Sequence, residues 1–254
     1  MSSHKNKLTI LFIIIIVIIT TIGILIFNYL QNNSTNQTNS DTLPFTKEEI
    51  ALDFINKEKI LQSDVTPPLE IKNRYAELIN NSLAAIESGI PSLEQFKDLS
   101  DDYSNLGSSY NILGDYVNAE KYYFQGTVEF PNKYLLQLNL GTLYATMQQY
   151  QDSANQFYNV MELFPNDYRV YEKLADLYLD YSISEDKLDK ADQIYATGIK
   201  NADDPKTLYK RYAYFLENEL KDYERALWAE REYQKISGNK AEQEIERLKR
   251  MIGD

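Results

Sequence analysis

A spacing of 34 residues recurs along the second half of the chain and constrains the fold more than any other feature of the sequence. Residues this far apart agree in type at several positions: Leu106, Leu140 and Leu174; Gly107, Gly141 and Ala175; Tyr110, Tyr144 and Tyr178; Pro131 and Pro165. Agreement in both spacing and type indicates an internal repeat. Glycine and proline are few and fall between helically periodic segments, and no alternating run of useful length suggests a strand. We therefore predict an all-α chain.

The repeated pattern resembles the tetratricopeptide repeat (TPR): a large residue, Leu-Gly, Tyr, a further aromatic residue and a closing Pro within 34 residues. The resemblance covers residues 100–238 and divides into about four units, which begin near Ser100, Tyr134, Tyr168 and Lys206. It implies a right-handed α-solenoid of antiparallel helix pairs, in which Gly or Ala stands where two helices cross closely. Two departures are predicted, a longer turn before Ala191 and one extra residue near Leu220.

The regions on either side of the repeats do not follow this spacing. Residues 43–99 are either degenerate repeats or an N-terminal helical cap, and both interpretations stay open. Within them, Thr46 and Glu49 have the spacing of a capping box, and Ser92 with Gln95 predicts a further short helix. Residues 239–254 are predicted to form a C-terminal capping helix with one apolar stripe.

The N-terminal part of the chain contains an uncharged apolar segment, residues 8–30. As a helix it would be about 34 Å long, which is enough to cross a bilayer. A cleaved signal peptide is the alternative, but its apolar region is usually shorter. Lys5 and Lys7 predict that residues 1–7 are cytoplasmic, so the linker of residues 31–42 and the repeats would lie outside the cytoplasm. The absence of cysteine fits a bacterial cell envelope.

Composition excludes several classes of function. The chain has no cysteine and a single histidine, His4, so no Cys-His, Ser-His or multi-histidine centre exists in the body of the chain. The net charge of −12 argues against nucleic-acid binding. No phosphate-binding loop is found. We predict that the protein is not an enzyme and uses no cofactor or metal, although a carboxylate pair of an envelope hydrolase stays open.

The TPR resemblance also implies a concave groove lined by the first helix of each unit. Some family members hold a peptide's terminal carboxylate there with Lys and Asn of the first repeat, Asn of the second and two basic residues of the third. Ser104 and Ser108 replace the first two of these residues. The candidate peptide-binding residues are the three that match, two further cations and one exposed tyrosine: Asn139, Arg169, Lys173, Lys210, Arg211 and Tyr214.

Two interpretations of this basic cluster stay open. It binds an acidic segment or a free carboxylate of a partner, or it pairs within the chain with Glu172, Asp176 and Glu217. The expected function is that of a membrane-tethered adaptor or scaffold that binds a partner protein or peptide in the groove. A holding chaperone or assembly factor for exported proteins is the alternative. The sequence leaves the partner and the oligomeric state open.

Overall fold

Helices follow one another along the chain, with short connections from residue 100 onward. The structure is a computed structural model that describes residue 43, residues 45–238 and residues 241–253. The helices are α1 (Lys47–Leu52), α2 (Leu69–Ser88), α3 (Ser100–Ile112), α4 (Tyr116–Glu129), α5 (Tyr134–Thr146), α6 (Tyr150–Leu163), α7 (Tyr168–Tyr181), α8 (Lys187–Asn201), α9 (Lys206–Phe215), α10 (Tyr223–Ser237) and α11 (Glu242–Ile252). The prediction of an all-α fold is confirmed for these ranges.

Nothing in the described ranges is a helix both long and apolar enough to span a bilayer. The predicted cytoplasmic segment 1–7, the predicted anchor 8–30 and the predicted linker 31–42 lie outside those ranges.

Helices α3 to α10 form four antiparallel pairs, α3/α4, α5/α6, α7/α8 and α9/α10, which stack in chain order. We number these pairs as units 1 to 4. The first helix of each unit also packs against the first helix of the next, and no comparable packing between second helices is found in the described residues. The first helices therefore lie on the inner side of a TPR-like stack.

Close helix crossings explain the small residues of the repeat. A Cβ atom on Gly141 would lie 2.7 Å from the Phe157 ring, and one on Gly107 would overlap the Tyr123 ring. Both aromatic rings come from the second helix of the same unit and are buried. Glycine is therefore required here by space, although it lowers the intrinsic helix propensity.

Each of the two predicted departures from the 34-residue spacing corresponds to a local feature of the structure. The longer turn of unit 3 lies between Tyr181 and Lys187. In unit 4, α9 continues into a π-helical segment, Leu216–Leu220, followed by Lys221 in the left-handed conformation. The π segment accommodates one additional residue at the end of α9, so that the preceding residues of the helix keep their faces.

Residues 53–63, which we call the strap, run extended across the turns that join the two helices of units 3, 2 and 1. Backbone hydrogen bonds connect the strap to each turn in succession: Ile183 N–H to Asp53 O, Lys57 N–H to Gln148 O, Ile60 N–H to Met147 O, Ser63 N–H to Gly114 O, and Tyr116 N–H to Leu61 O. The strap therefore visits the units in the reverse of their chain order.

Helix α1, which precedes the strap, packs on α6. The predicted capping box is confirmed, because Thr46 and Glu49 bond reciprocally at its start. Phe45, Ile50 and Phe54 are buried in the same apolar core as units 2 to 4. The N-terminal region thus contributes side chains to the interior of the stack.

The two ends of the stack are covered by single helices, α2 against α3 and α11 against α10. Ile245 and Leu248 are the buried residues of α11. The short helix predicted from Ser92 and Gln95 is wrong: residues 91–99 form turns. The Ser92 amide donates instead to the buried carboxylate of Asp102, at 3.1 Å.

Candidate protein-binding groove

The inner face of the stack is built from repeat-equivalent positions of α3, α5, α7 and α9. Two rows of partly or fully exposed side chains run along it: Asn105, Asn139, Lys173 and Arg211; Ser108, Thr142, Asp176 and Tyr214. Small polar side chains dominate in units 1 and 2, whereas units 3 and 4 carry charge. The face therefore offers hydrogen-bonding groups along its whole length and ionic groups at one end.

Arg211 connects the inner faces of units 3 and 4. Its guanidinium group lies 2.9 Å from a carboxylate oxygen of Glu172 and 2.8 Å from one of Asp176. Burial raises the pKa of Asp176 and the nearby Glu172 adds to this, whereas Arg211 opposes both. The cation at this position is thus shared by two carboxylates of the same chain.

Arg169 is held at the beginning of α7 by Asp167. The guanidinium group donates to both carboxylate oxygens, at 2.9 and 2.6 Å, and lies 4.3 Å from the centroid of the Tyr134 ring. Burial alone would raise the pKa of Asp167, but the hydrogen bonds from Arg169 lower it. Asp167 also caps α7 through the Arg169 amide. Arg169 is therefore part of a local helix-start structure.

Lys210 faces the second helix of its own unit. Its ammonium group lies 2.8 Å from Glu230 on α10, a residue that is almost completely buried. In the other units the position equivalent to Glu230 holds an aromatic residue, such as Phe157 or Tyr195. An ion pair has thus replaced an aromatic contact between the two helices of unit 4.

The remaining candidates are less constrained. Lys173 is half-buried and makes no ion pair within the described residues, while Asn139 is half-buried on the same row of the inner face. Tyr214 is 65% exposed, and its carbonyl accepts a hydrogen bond from the Asn218 side chain. Asn139, Lys173 and Tyr214 are thus the candidates whose side chains can turn to a ligand without breaking an ion pair between described residues.

Two of the three acidic residues expected to pair with the basic cluster do so: Glu172 and Asp176 bind Arg211. The third, Glu217, binds Arg247 on α11 through two charge-assisted contacts. Sequence reasoning missed Asp167 as the partner of Arg169. An acidic residue directly before a helix was the available signal, since Asp is a preferred N-cap.

Comparisons with known proteins give limited information. No family model matches the chain, and no curated protein matches it. Among solved structures, MamA 41-end from Desulfovibrio magneticus RS-1 is similar at 16% identity and TM-score 0.45, covering 66% of this chain and 98% of that chain. MamA AMB-1 is similar at 17% identity and TM-score 0.42, covering 69% of this chain and 96% of that chain. These values support no inference about function, and the repeat architecture rests on the helix pairs described above.

Proposed function

We propose that this protein is a membrane-tethered, non-catalytic scaffold that binds a segment of a partner protein along the inner face of α3, α5, α7 and α9. The observation that carries the proposal is the pair of rows of partly or fully exposed polar and charged side chains on that face. Repeat-equivalent polar groups at regular intervals suit the backbone and side chains of an extended or helical segment.

The expected ligand chemistry follows from the charged end of the face. Lys173 has no ion pair with any residue that the structure describes, so we propose that it contacts a carboxylate of the ligand, with Tyr214 providing an adjacent aromatic surface. Arg211 would then contribute while it stays bound to Glu172 and Asp176. Tethering by residues 8–30 would raise the effective concentration of the scaffold at the membrane.

The proposed groove is tested by affinity capture from crosslinked native membranes, with bound proteins quantified by mass spectrometry. The informative variant is Lys173→Glu/Tyr214→Ser, because neither side chain forms an ion pair in the part of the chain that the structure describes. Lys72→Glu, an exposed lysine on α2, is the control for a change in charge alone. One dominant partner that is captured by wild type and the control, and lost from the variant, supports the proposal.

Two other results have definite meanings. A dominant partner retained by the groove variant would place binding elsewhere and contradict the groove. A broad set of exported chains, captured weakly by all three proteins, would favour the holding chaperone or assembly factor.

The proposed location in a bacterial envelope, with a cytoplasmic N-terminus, has a separate test. The chain has no cysteine, so single cysteines introduced as Ser3→Cys and Asn80→Cys report the two sides of the membrane without background. A membrane-impermeant maleimide added to intact spheroplasts should label the second variant only. Labelling of the first variant alone would reverse the orientation.

The non-catalytic part of the proposal rests on the sequence, which has no cysteine and only His4. A broad glycosidase and esterase screen should show no turnover. Activity that disappears when one carboxylate is substituted would contradict it.

A further inference from the structure

Within the described residues, a short helix, α1, is bound to the outward face of the second helix of unit 2. Helix α1 lies along α6 in the opposite direction: Lys47 Nζ donates to Asn159 Oδ1 at 2.7 Å, and Gln151 Nε2 donates to the Ala51 carbonyl at 2.9 Å. Glu48 lies close enough to Tyr158 and Glu162 to raise the pKa of both, in addition to their burial. The bound face of α6 is therefore defined by Gln151, Tyr158, Asn159 and Glu162.

No described residue covers the same face of α4. The 34-residue repeat maps Gln151, Tyr158 and Glu162 onto Val117, Phe124 and Val128, which are 50%, 55% and 66% exposed. These three side chains form one stripe, since they are separated by seven and four residues along the helix, and the exposed Lys121 lies between Val117 and Phe124 on the same side. The stripe is thus apolar at the three positions where its bound counterpart on α6 is polar.

The surface beside the stripe is also more open in unit 2 than the equivalent surface in unit 3. In unit 3, Tyr178 is completely buried beneath α1 and the strap, with the Phe54 ring packed edge-on at 4.9 Å. Its repeat equivalent in unit 2, Tyr144, is only half-buried. An aromatic side chain beside α4 could therefore pack on Tyr144 as Phe54 packs on Tyr178.

We propose that the stripe formed by Val117, Phe124 and Val128 binds a short amphipathic helix of a partner protein, antiparallel to α4, in the way that α6 binds α1. This site lies on the opposite side of the stack from the proposed groove and does not depend on it. An occupant that lies on α4 as α1 lies on α6 would place apolar residues against the stripe and an aromatic residue against Tyr144.

Charge specifies the occupant further. Lys47 of α1 meets Asn159, whose equivalent on α4 is Gln125, and Glu129 lies one turn further on. A cation of the occupant at this position would face Glu129, and the net charge of the chain, −12, opposes a second copy. Three side chains on one helix also fall well short of the roughly 800 Å² per partner of a standard stable interface, whereas a helix laid along a helix suits a contact of modest affinity.

The probe for this site is a fluorescein-labelled synthetic peptide of residues 43–56 carrying Glu48→Leu. That substitution places an apolar side chain opposite the positions of Phe124 and Val128, and the peptide keeps Phe45, Lys47 and Phe54. The peptide is titrated against the full chain in lipid nanodiscs, and fluorescence anisotropy reports binding. Saturable binding that weakens at least about tenfold in Val117→Ser/Phe124→Ser/Val128→Ser is expected.

The matched control is Leu163→Ser, which removes an exposed leucine from the end of α6 and should change the affinity less than about twofold. Circular dichroism melting verifies that each variant is folded. Binding that is absent up to roughly millimolar peptide, or unchanged in the triple variant, would overturn the proposal. Sedimentation equilibrium of the chain without peptide tests for a dimer. A dimer that the triple variant abolishes would show that the stripe binds a second copy, and it would overturn the proposed partner helix.

Discussion

The phenolic hydroxyl of Tyr178 donates a hydrogen bond of 2.7 Å to a carboxylate oxygen of Asp53, which lies 125 residues earlier in the chain. The same oxygen lies 2.7 Å from Lys190 Nζ, and the side chains of Lys190 and Asp53 are only 16% and 10% exposed. One carboxylate therefore joins the beginning of the strap to both helices of unit 3. The Asp53 carbonyl adds a backbone bond from Ile183.

Removal of this carboxylate should be costly. Asp53→Ala leaves an ammonium group and a phenol without their partner in a largely buried place, so we expect the free energy of unfolding to fall by roughly 2–4 kcal/mol. Urea denaturation followed by circular dichroism measures the change. Asp64→Ala, an exposed aspartate just after the strap, is the control and should have little effect. A loss for Asp53→Ala no larger than that of the control would show that the three groups do not stabilise the fold.

The close crossing at Gly141 predicts a destabilising methyl group. Gly141→Ala places a Cβ atom against the Phe157 ring, and the overpacking should cost roughly 1–3 kcal/mol even though alanine is the better helix former. A double-mutant cycle with Phe157→Leu tests the cause. If ring overlap is responsible, the double variant will lose clearly less stability than the sum of the two single variants.

Alkaline pH should destabilise the protein through its buried tyrosines. Burial and the Glu129 carboxylate raise the pKa of Tyr103 to about 12, and burial together with Glu120 and Asp152 raises the pKa of Tyr144 to about 12. Tyrosines of the unfolded chain ionise near pH 10, so between about pH 10 and 12 the unfolded state binds fewer protons than the folded state. The free energy of unfolding must then fall as the pH rises through this window.

Urea denaturation from about pH 8 to 11, with tyrosine ionisation followed by absorbance, measures this dependence. Tyr103→Phe/Tyr144→Phe should flatten it, because two raised pKa values are removed. The exposed-site variant Tyr214→Phe is the control and should keep the slope of the wild type. An equal slope in all three proteins would assign the alkaline loss to other groups.

The π segment predicts that unit 4 tolerates the loss of one residue. Deletion of Glu219 lets Leu216–Leu220 become regular α-helix while the residues before and after keep their faces, so the cost should stay below about 1 kcal/mol. Deletion of Thr142, in the regular helix α5, rotates every following side chain by about 100° and should prevent a cooperative thermal transition. Equal damage from both deletions would contradict this interpretation of the π segment.

The sequence predicted the repeats well because their side chains are constrained at regular intervals. Gly107, Gly141 and the aromatic residues opposite them are required by helix crossings that recur in each unit, and such requirements leave a period in the sequence. The extra residue predicted near Leu220 is accommodated in the π segment. The path of the strap could not be predicted, because backbone hydrogen bonds to turns depend little on residue type.

The candidate groove was predicted less completely. Spacing placed Asn139, Lys173 and Arg211 on one row of the inner face, but it carried no information about side-chain direction. Arg169 turns back to Asp167, and Lys210 turns to Glu230. These pairings depend on which acidic residue is nearest in three dimensions, and a single sequence does not specify that distance.

The strap also sets the order of events during synthesis. Stacked helix pairs make mostly local contacts and can form one after another as successive parts of the chain become available to fold. Residues 53–63 are made before every turn to which they bond, and the last of these turns, at Ile183, follows more than a hundred residues later. Until unit 3 is complete, the side chains of Ile50, Asp53 and Phe54 therefore stay unburied. Helix α1 is thus made before all the units and is among the last elements to reach its final place, so a stack that could grow by local steps is completed by a long-range one.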